Sequence, residues 1–404
     1  MQPTSLNDEL VVQAHAAAEH IIGKNITPVG LAASIEGYRH VWARDSMITF
    51  LGAAIARNGT VMESFRQSLD TLAEYQDRFG QIPYLVDIAT RKALFGSVDS
   101  NSWFVIGAAH YIALSGDAQW GANNRDRLAK ALDWCEAMDL AHTGLMMSPE
   151  CFDWADLMAN HGNVLFPNVL CSHALRAGAQ VLESIAPAEA ARFRGRRETV
   201  RHALQEYFWV KAPGECIDDT HGRVRAKMSI LLRKRPYFLP WVGLFDYGDY
   251  LDTTGNMLAV LCGVATAAQA SQILDYIDSA GVNRPFPVRV LHPPIRPGEQ
   301  NWREYHRINN LNMPHQYHNG GIWPWVGGLY VAALVKAGRP ERAREELALL
   351  AAALKRGSEP WECNEWLHGE TGRPMGVRFQ AWSAGMFLYA HHAVETGELP
   401  GLTA

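Results

Sequence analysis

The chain has 404 residues, 48% of them hydrophobic and 20% charged, enough for one large domain or two ordinary ones around a sizeable core. Its 37 basic and 42 acidic residues leave a formal charge of −5, which offers no long-range attraction to nucleic acid or to an anionic membrane. Six scattered cysteines (Cys135, Cys151, Cys171, Cys216, Cys262 and Cys363) form no CxxC pair and no Cys/His set at zinc-ligand spacing, which excludes a disulfide framework and a structural zinc site.

Along the chain, apolar residues recur at i, i+3, i+4 and i+7, the signature of helices with one buried face. The spacing predicts helices over 8–22, 44–57, 61–79, 101–115, 126–139, 167–185, 188–208, 255–265, 267–279, 324–337, 340–355 and 377–396. Thr266 ahead of Ala267 and Arg339-Pro340-Glu341 read as helix starts, the latter with proline and an acid in the first turn. Alternation of the strand kind is scarce. A dozen helices without a linker predict one large all-α domain over 1–404, with two long irregular segments at 211–254 and 281–323. Long loops on a helical scaffold are where binding and catalysis concentrate. No secretion signal and no long apolar run is visible, so a cytoplasmic protein outside the membrane is expected. Neither a Walker A loop nor a Gly-rich βαβ fingerprint occurs, and no cofactor or metal is expected.

Five stretches concentrate carboxylates, amides, histidines and tryptophans: Tyr38 to Asp45, Val98 to Trp103, Glu150 to Asp156, Tyr317 to Pro324, and Asn364 to Gly369. Flat aromatic faces beside polar hydrogen-bonding groups suit a small carbohydrate, whose C–H faces are apolar and whose rim is polar. Each stretch alone is also what a helix cap or a tight turn looks like. Asp45 reads equally as an ion-pair partner of Arg44, Asp99 as an N-cap, His318 as a turn-stabilising ring, Trp382 as core, and Asp156 as a neighbour of Asp153 or a solvated acid.

Taken in order, these stretches resemble the neutral and alkaline invertases of glycoside hydrolase family 100, over about 38–392. The most specific matches are Val98-Asp99-Ser100, Asp252-Thr253-Thr254-Gly255-Asn256, Tyr317-His318-Asn319-Gly320-Gly321 with Trp323-Pro324, and Phe379-Gln380-Ala381-Trp382-Ser383. The resemblance implies an (α/α)6 barrel, with the site in the loops at one end, and inverting hydrolysis by an acid/base pair. Asp153 stands where the family's general acid stands, and Glu365 where its second carboxylate stands. Such a pair lies roughly 6.5–9.5 Å apart, which leaves room for the attacking water. Phe152 and Trp154 would desolvate Asp153 and keep it protonated near neutrality. Arg44, Asp45, Asp99 and His318 would bind sugar hydroxyls, and Trp42, Trp103, Trp323 and Trp382 would stack on the ring. Trp154, Asp156, Trp366 and Gln380 complete the expected substrate contacts.

The chain departs from the family beside the scissile bond, with Trp154-Ala155-Asp156 after the acid and Cys363-Asn364 before the second carboxylate. The expected substrate is accordingly a small α-glucoside, with sucrose the leading candidate. Related α-glucosidases and glucosylglycerate or mannosylglycerate hydrolases are the nearest alternatives. A sugar epimerase, an inverting phosphorylase and a sugar-binding protein are the readings from other classes. Self-association into a homo-oligomer stays open.

Overall fold

The computed structural model describes residues 6–211, 228, 230–232 and 234–403; Cys216 and much of the first half of the irregular 211–254 segment lie outside them. Twelve long helices occur among the described residues, as the periodicity predicts, together with one short connector. In chain order they are α1 (Leu6–Asn25), α2 (Ala43–Ala53), α3 (Gly59–Glu74), α4 (Ser100–Ser115), the connector α5 (Ala118–Asn123), α6 (Arg125–Ala137) and α7 (Leu165–Leu182). Then follow α8 (Pro187–Phe208), α9 (Thr253–Leu261), α10 (Ala267–Ser279), α11 (Pro324–Lys336), α12 (Pro340–Leu354) and α13 (Ala381–Thr396).

Burial sorts them into two rings. Every residue of α2 and of α9 is buried, and a helix apolar all round belongs inside a core. By contrast α3 buries one face only, through Ser64, Phe65, Ser68, Leu69 and the 71–73 turn. The inner helices touch in the closed circuit α2, α4, α7, α9, α11, α13 and back to α2. Around them α1 packs on α12 and α13, α3 on α2 and α4, α6 on α4 and α7, α8 on α7, and α12 on α11 and α13. The outer α10 joins α8 through reciprocal amide hydrogen bonds between Gln205 and Gln269 (3.1 and 2.8 Å). This is the (α/α)6 barrel.

Local chemistry sets where the helices start and stop. Thr266 and Gln269 form a capping box on α10, and Asp252 caps α9 by accepting from the amides of Thr254 and Gly255. The helix expected over 61–79 ends at Glu74, because the Asp77 carboxylate accepts from the Phe79 and Gln81 amides and turns the chain. The helix expected from 377 begins at Ala381, since the amides of Phe379 and Gln380 are taken by the carbonyls of Glu362 and Cys363.

Two- and three-residue strands precede the inner helices: His40–Trp42 pairs with Leu85–Asp87, Gly162–Val164 with Trp241–Val242, and Leu251–Asp252 with Leu291–His292. They bring the starts of the inner helices to one end of the barrel. The ring closes where α2 meets α13. A Cβ on Gly52 would lie 2.0 Å from the Gly385 carbonyl oxygen, and one on Gly385 would lie 2.4 Å from that of Thr49. Overpacking a core costs about 1–3 kcal/mol, and a clash with backbone falls at the upper end or beyond. Gly52→Val is therefore expected to lower the thermal midpoint sharply, whereas Gly59→Ala, where a Cβ meets nothing within 4 Å, should leave it near wild type. Calorimetry of the two variants checks this.

Candidate active site

The strand-to-helix junctions open on a cavity of about 110 Å3. A groove of about 600 Å3 lies at the far ends of α2 and α13, beside α1, with Ile22, Ile55, Val61 and Leu388 among its walls. That groove holds none of the buried carboxylates, so the smaller cavity is the candidate site.

Arg44 and Asp45 enter it from the first turn of α2, 8% and 6% exposed. The Arg44 guanidinium donates to Asp99 Oδ2 at 3.0 Å, and Asp99 also accepts from the Ser97 hydroxyl. Asp99 occupies the N-cap position of α4 but makes no side-chain cap; its carboxylate is the counter-ion of Arg44 and lies behind the cavity wall. Burial pushes the Asp45 carboxyl up to about 6, with Arg44 opposing the rise.

Glu365 is 5% exposed and faces the cavity from the 364–378 hairpin. Its Oε1 accepts from the Tyr38 hydroxyl (3.1 Å) and its Oε2 from the Val377 amide (3.1 Å). Gly376 makes room for it: φ is +73°, and a Cβ there would stand 2.4 Å from Oε2. Burial pushes Glu365 up to about 7, against the pull of those two donors.

Asp153 is 4% exposed and does not line the cavity. Its Oδ1 turns back to accept from the Ala155 amide at 2.6 Å, closing a tight turn. Burial, with Asp99 and Asp252 adding, pushes it up to about 7. The turn it closes delivers Asp156 to the cavity instead, with half of that side chain (51%) accessible. Burial by the surrounding walls raises the Asp156 carboxyl above its usual range, and Arg44 draws it down. The cavity-facing acid of this segment is thus the residue three positions beyond the expected one.

Aromatic rings form the rest of the wall. Trp154 meets Trp323 edge to face at 5.5 Å, and Trp382 stacks on Trp325 at 5.2 Å. Trp42, His318 and Gln380 also line the cavity. Of the expected contacts, Trp103 (0% exposed) and Trp366 (1%) sit in the core behind it. Tyr38 and Tyr317 line it without having been singled out as contacts, although both stand in the stretches read as chemical. Six polar atoms of lining side chains have no hydrogen-bond partner among the described residues: Trp42 Nε1, Arg44 Nε, Gln380 Oε1, Trp382 Nε1 and both nitrogens of His318. No group of three His, Cys, Asp or Glu side chains among the described residues is placed to share a metal ion. No described helix is long and apolar enough to cross a membrane.

A family described as alkaline and neutral invertase matches residues 246–397, the part that carries His318, Glu365, Gln380 and Trp382. The probable alkaline/neutral invertase D of Arabidopsis thaliana is 28% identical over 332 residues, covering 74% of this chain and 60% of the relative. Cytosolic invertase 1 of Oryza sativa subsp. japonica is 28% identical over 332 residues, covering 74% and 57%. The chain thus spans about three-fifths of the length of these relatives. Among solved structures, the GH63 mannosylglycerate hydrolase of Thermus thermophilus in complex with glucose superposes with a TM-score of 0.69 at 13% identity, covering 93% of this chain and 99% of that one. A bacterial glucoamylase complexed with acarbose gives 0.66 at 14% identity, covering 96% and 56%. These structures share the barrel.

The Asp153 carboxyl binds its proton more tightly in the fold than at its usual 3.8. Its contribution to stability is full below about pH 4 and is lost as pH rises through about 7. Asp153→Asn does not titrate and escapes that loss. Urea unfolding should show the variant gaining about 1–3 kcal/mol on wild type between about pH 5 and 8; a constant difference would contradict the assignment.

Proposed function

We propose that the chain is an inverting glycoside hydrolase acting on a small α-glucoside, with sucrose the leading candidate, Asp156 the general acid and Glu365 the general base. The observation that carries the reading is the meeting of Asp156 and Glu365 in one small cavity walled by tryptophans. A glycosidic bond breaks when its oxygen receives a proton on one side and C1 receives water from the other. Asp156, whose side chain opens to the cavity, suits delivery of a proton to the departing oxygen. Glu365, held by two donors that favour its ionised form, suits removal of a proton from the attacking water. The C1–O bond breaks, the new C1–O bond forms on the opposite face, and an α-glucoside releases β-glucose. We assign the acid to Asp156 and not to Asp153 because Asp153 is folded onto the Ala155 amide and does not line the cavity.

The unpartnered donors and acceptors on the walls match the hydroxyl rim of one sugar ring. Charge favours an uncharged aglycone. Arg44, the cation on the cavity wall, is committed to Asp99, so a glycerate carboxylate would face Asp45, Asp156 and Glu365 instead. Similarity to named invertases points the same way. An epimerase needs bases on two sides of the ring; His318 lines the cavity, but His315 points to Glu370 at 3.3 Å. The five cysteines among the described residues are free, which suits a reducing cytoplasm.

Sucrose, trehalose, other α-glucobioses, maltooligosaccharides and glucosylglycerate, followed by NMR with and without phosphate, test the reading. Early β-glucose from one of them is expected; early α-glucose would overturn inversion, and cleavage that requires phosphate would make the chain a phosphorylase. Asp156→Asn and Glu365→Gln should each lose about 10²–10⁴-fold in kcat. If Asp156→Asn stays active while Asp153→Asn is crippled, the acid is Asp153. The acid limb of kcat/KM should fall near pH 7, because Glu365 takes up a proton as pH drops through about 7.

A further inference from the structure

His318 is the one cavity residue, among those described, that leaves two buried side-chain atoms without a hydrogen bond. It is 3% exposed, and neither nitrogen has a partner. An unmet buried polar group costs on the order of 1–3 kcal/mol and calls for an explanation. Three rings hold the imidazole in place: Tyr317 at 4.1 Å, Trp154 at 4.7 Å and Trp323 at 5.0 Å between centroids. The turn that carries it is pinned as well. The Asn319 amide donates to Asn312 Oδ1 at 2.9 Å, and Asn319 Nδ2 donates to the Ile295 carbonyl at 2.8 Å. The ring therefore has no freedom to swing toward water. Its Nε2 stands 3.4 Å from Asp156 Oδ1, close enough to pair and not yet a formed hydrogen bond. Such contacts in an empty site commonly tighten when the substrate binds.

We propose that His318 is a positioning residue for proton transfer: once a sugar fills the cavity, its Nε2–H donates to Asp156 Oδ1 and leaves Oδ2 to carry the proton to the glycosidic oxygen. This rests on the glycoside hydrolase reading. The neutral imidazole is what makes the arrangement work. A cationic ring would strip Asp156 of its proton, whereas a neutral one orients the carboxyl while leaving it an acid. Burial, with Arg44 and His306 adding, holds His318 well below the usual histidine range. The other groups facing Asp156 are Arg44 and Asp45 on α2, Asp99 ahead of α4, Tyr38, Cys151, Tyr317 and Glu365, and substitution of the ring alone leaves them all in place.

The test compares His318→Phe, which keeps the flat ring and removes the donor, with His318→Gln, which restores a neutral N–H. A hydrogen bond to the carboxyl favours its ionised form, so His318→Phe should raise the basic limb of kcat, which reports the substrate-bound enzyme, by about one pH unit. It should also lower kcat by on the order of 10²-fold through misorientation, and His318→Gln should recover part of both. The same upward shift should appear in the 13C-carboxyl titration of Asp156, assigned with Asp156→Asn and measured with a saturating non-hydrolysable thioglucoside bound, which needs no turnover. A basic limb and a carboxyl titration that both stay at wild-type values in His318→Phe would overturn the proposal, as would a glutamine variant no better than phenylalanine. If the phenylalanine variant does not fold, 15N shifts of the wild type decide: protonation at Nε2 supports the pairing, and protonation at Nδ1 overturns it. A shifted Asp156 titration in a chain that cleaves no glycoside would leave the pair standing and remove the hydrolase reading instead.

Discussion

The Arg44–Asp99 ion pair is the fixed point of the cavity. Both side chains are out of bulk water, where an unpaired charge is prohibitively costly and a pair persists only with good geometry. Because the guanidinium is already matched, it acts on its neighbours as a partly neutralised field. It eases Asp45, Asp153 and Asp156 downward without capturing any of them, and it helps to keep His318 uncharged. Desolvation is then the dominant influence on each carboxyl. Three acids in and behind one small wall differ in what they accept: Glu365 has two donors, Asp153, behind it, has a backbone amide, and Asp156 opens to the space where a ligand would sit. Differences of that kind separate an acid from a base among side chains of identical chemistry.

The barrel makes this possible by geometry more than by loops. Inner helices buried on every side need no polar face, so polar residues collect at their starts, where strand pairing ends and the first amides are free. Arg44 and Asp45, Asp99, Asp252, Trp323 and Gln380 all stand at such junctions. The long 295–319 segment then packs over the Glu150–Met158 turn, through Asn312 to the Leu157 carbonyl (2.7 Å) and Arg303 to Glu150 (3.1 Å). It thereby sets His318 against Asp156. Residues far apart in sequence become neighbours because two helix starts and one loop share an end of the ring.

The helices were the legible part of the fold, since 3.6-residue periodicity is local and survives in any packing. Their ends were less legible. Glu74 and Ala381 mark where a side-chain turn and a pair of loop carbonyls outcompete the helix, and neither has a periodic signature. In the site, composition pointed to stretches that meet at or behind the cavity wall, but the direction of a side chain within a turn could not be read. Asp153 and Asp156 are three residues apart, and an amide accepted by one of them decides which faces the cavity. Tyr38 was passed over for the same reason: its place depends on Glu365, 327 residues away. Trp103 reads as a sugar platform and Trp366 as a substrate contact, yet both serve as core, because a tryptophan beside polar residues looks the same on either side of a wall.

The closure of α2 against α13 also carries a consequence for synthesis. The chain's first inner helix must wait for its last, since Gly52 of α2 packs against the Gly385 carbonyl of α13. Long-range closures of this kind are paid for in entropy before they return contact energy, so they form late. While the ribosome makes the intervening chain, the face of α2 that will meet Gly385 has no partner. An arc of ring stays open and sticky until the final helix emerges. Growth conditions that slow translation of the α13 segment should therefore lengthen the period in which the nascent protein depends on a chaperone.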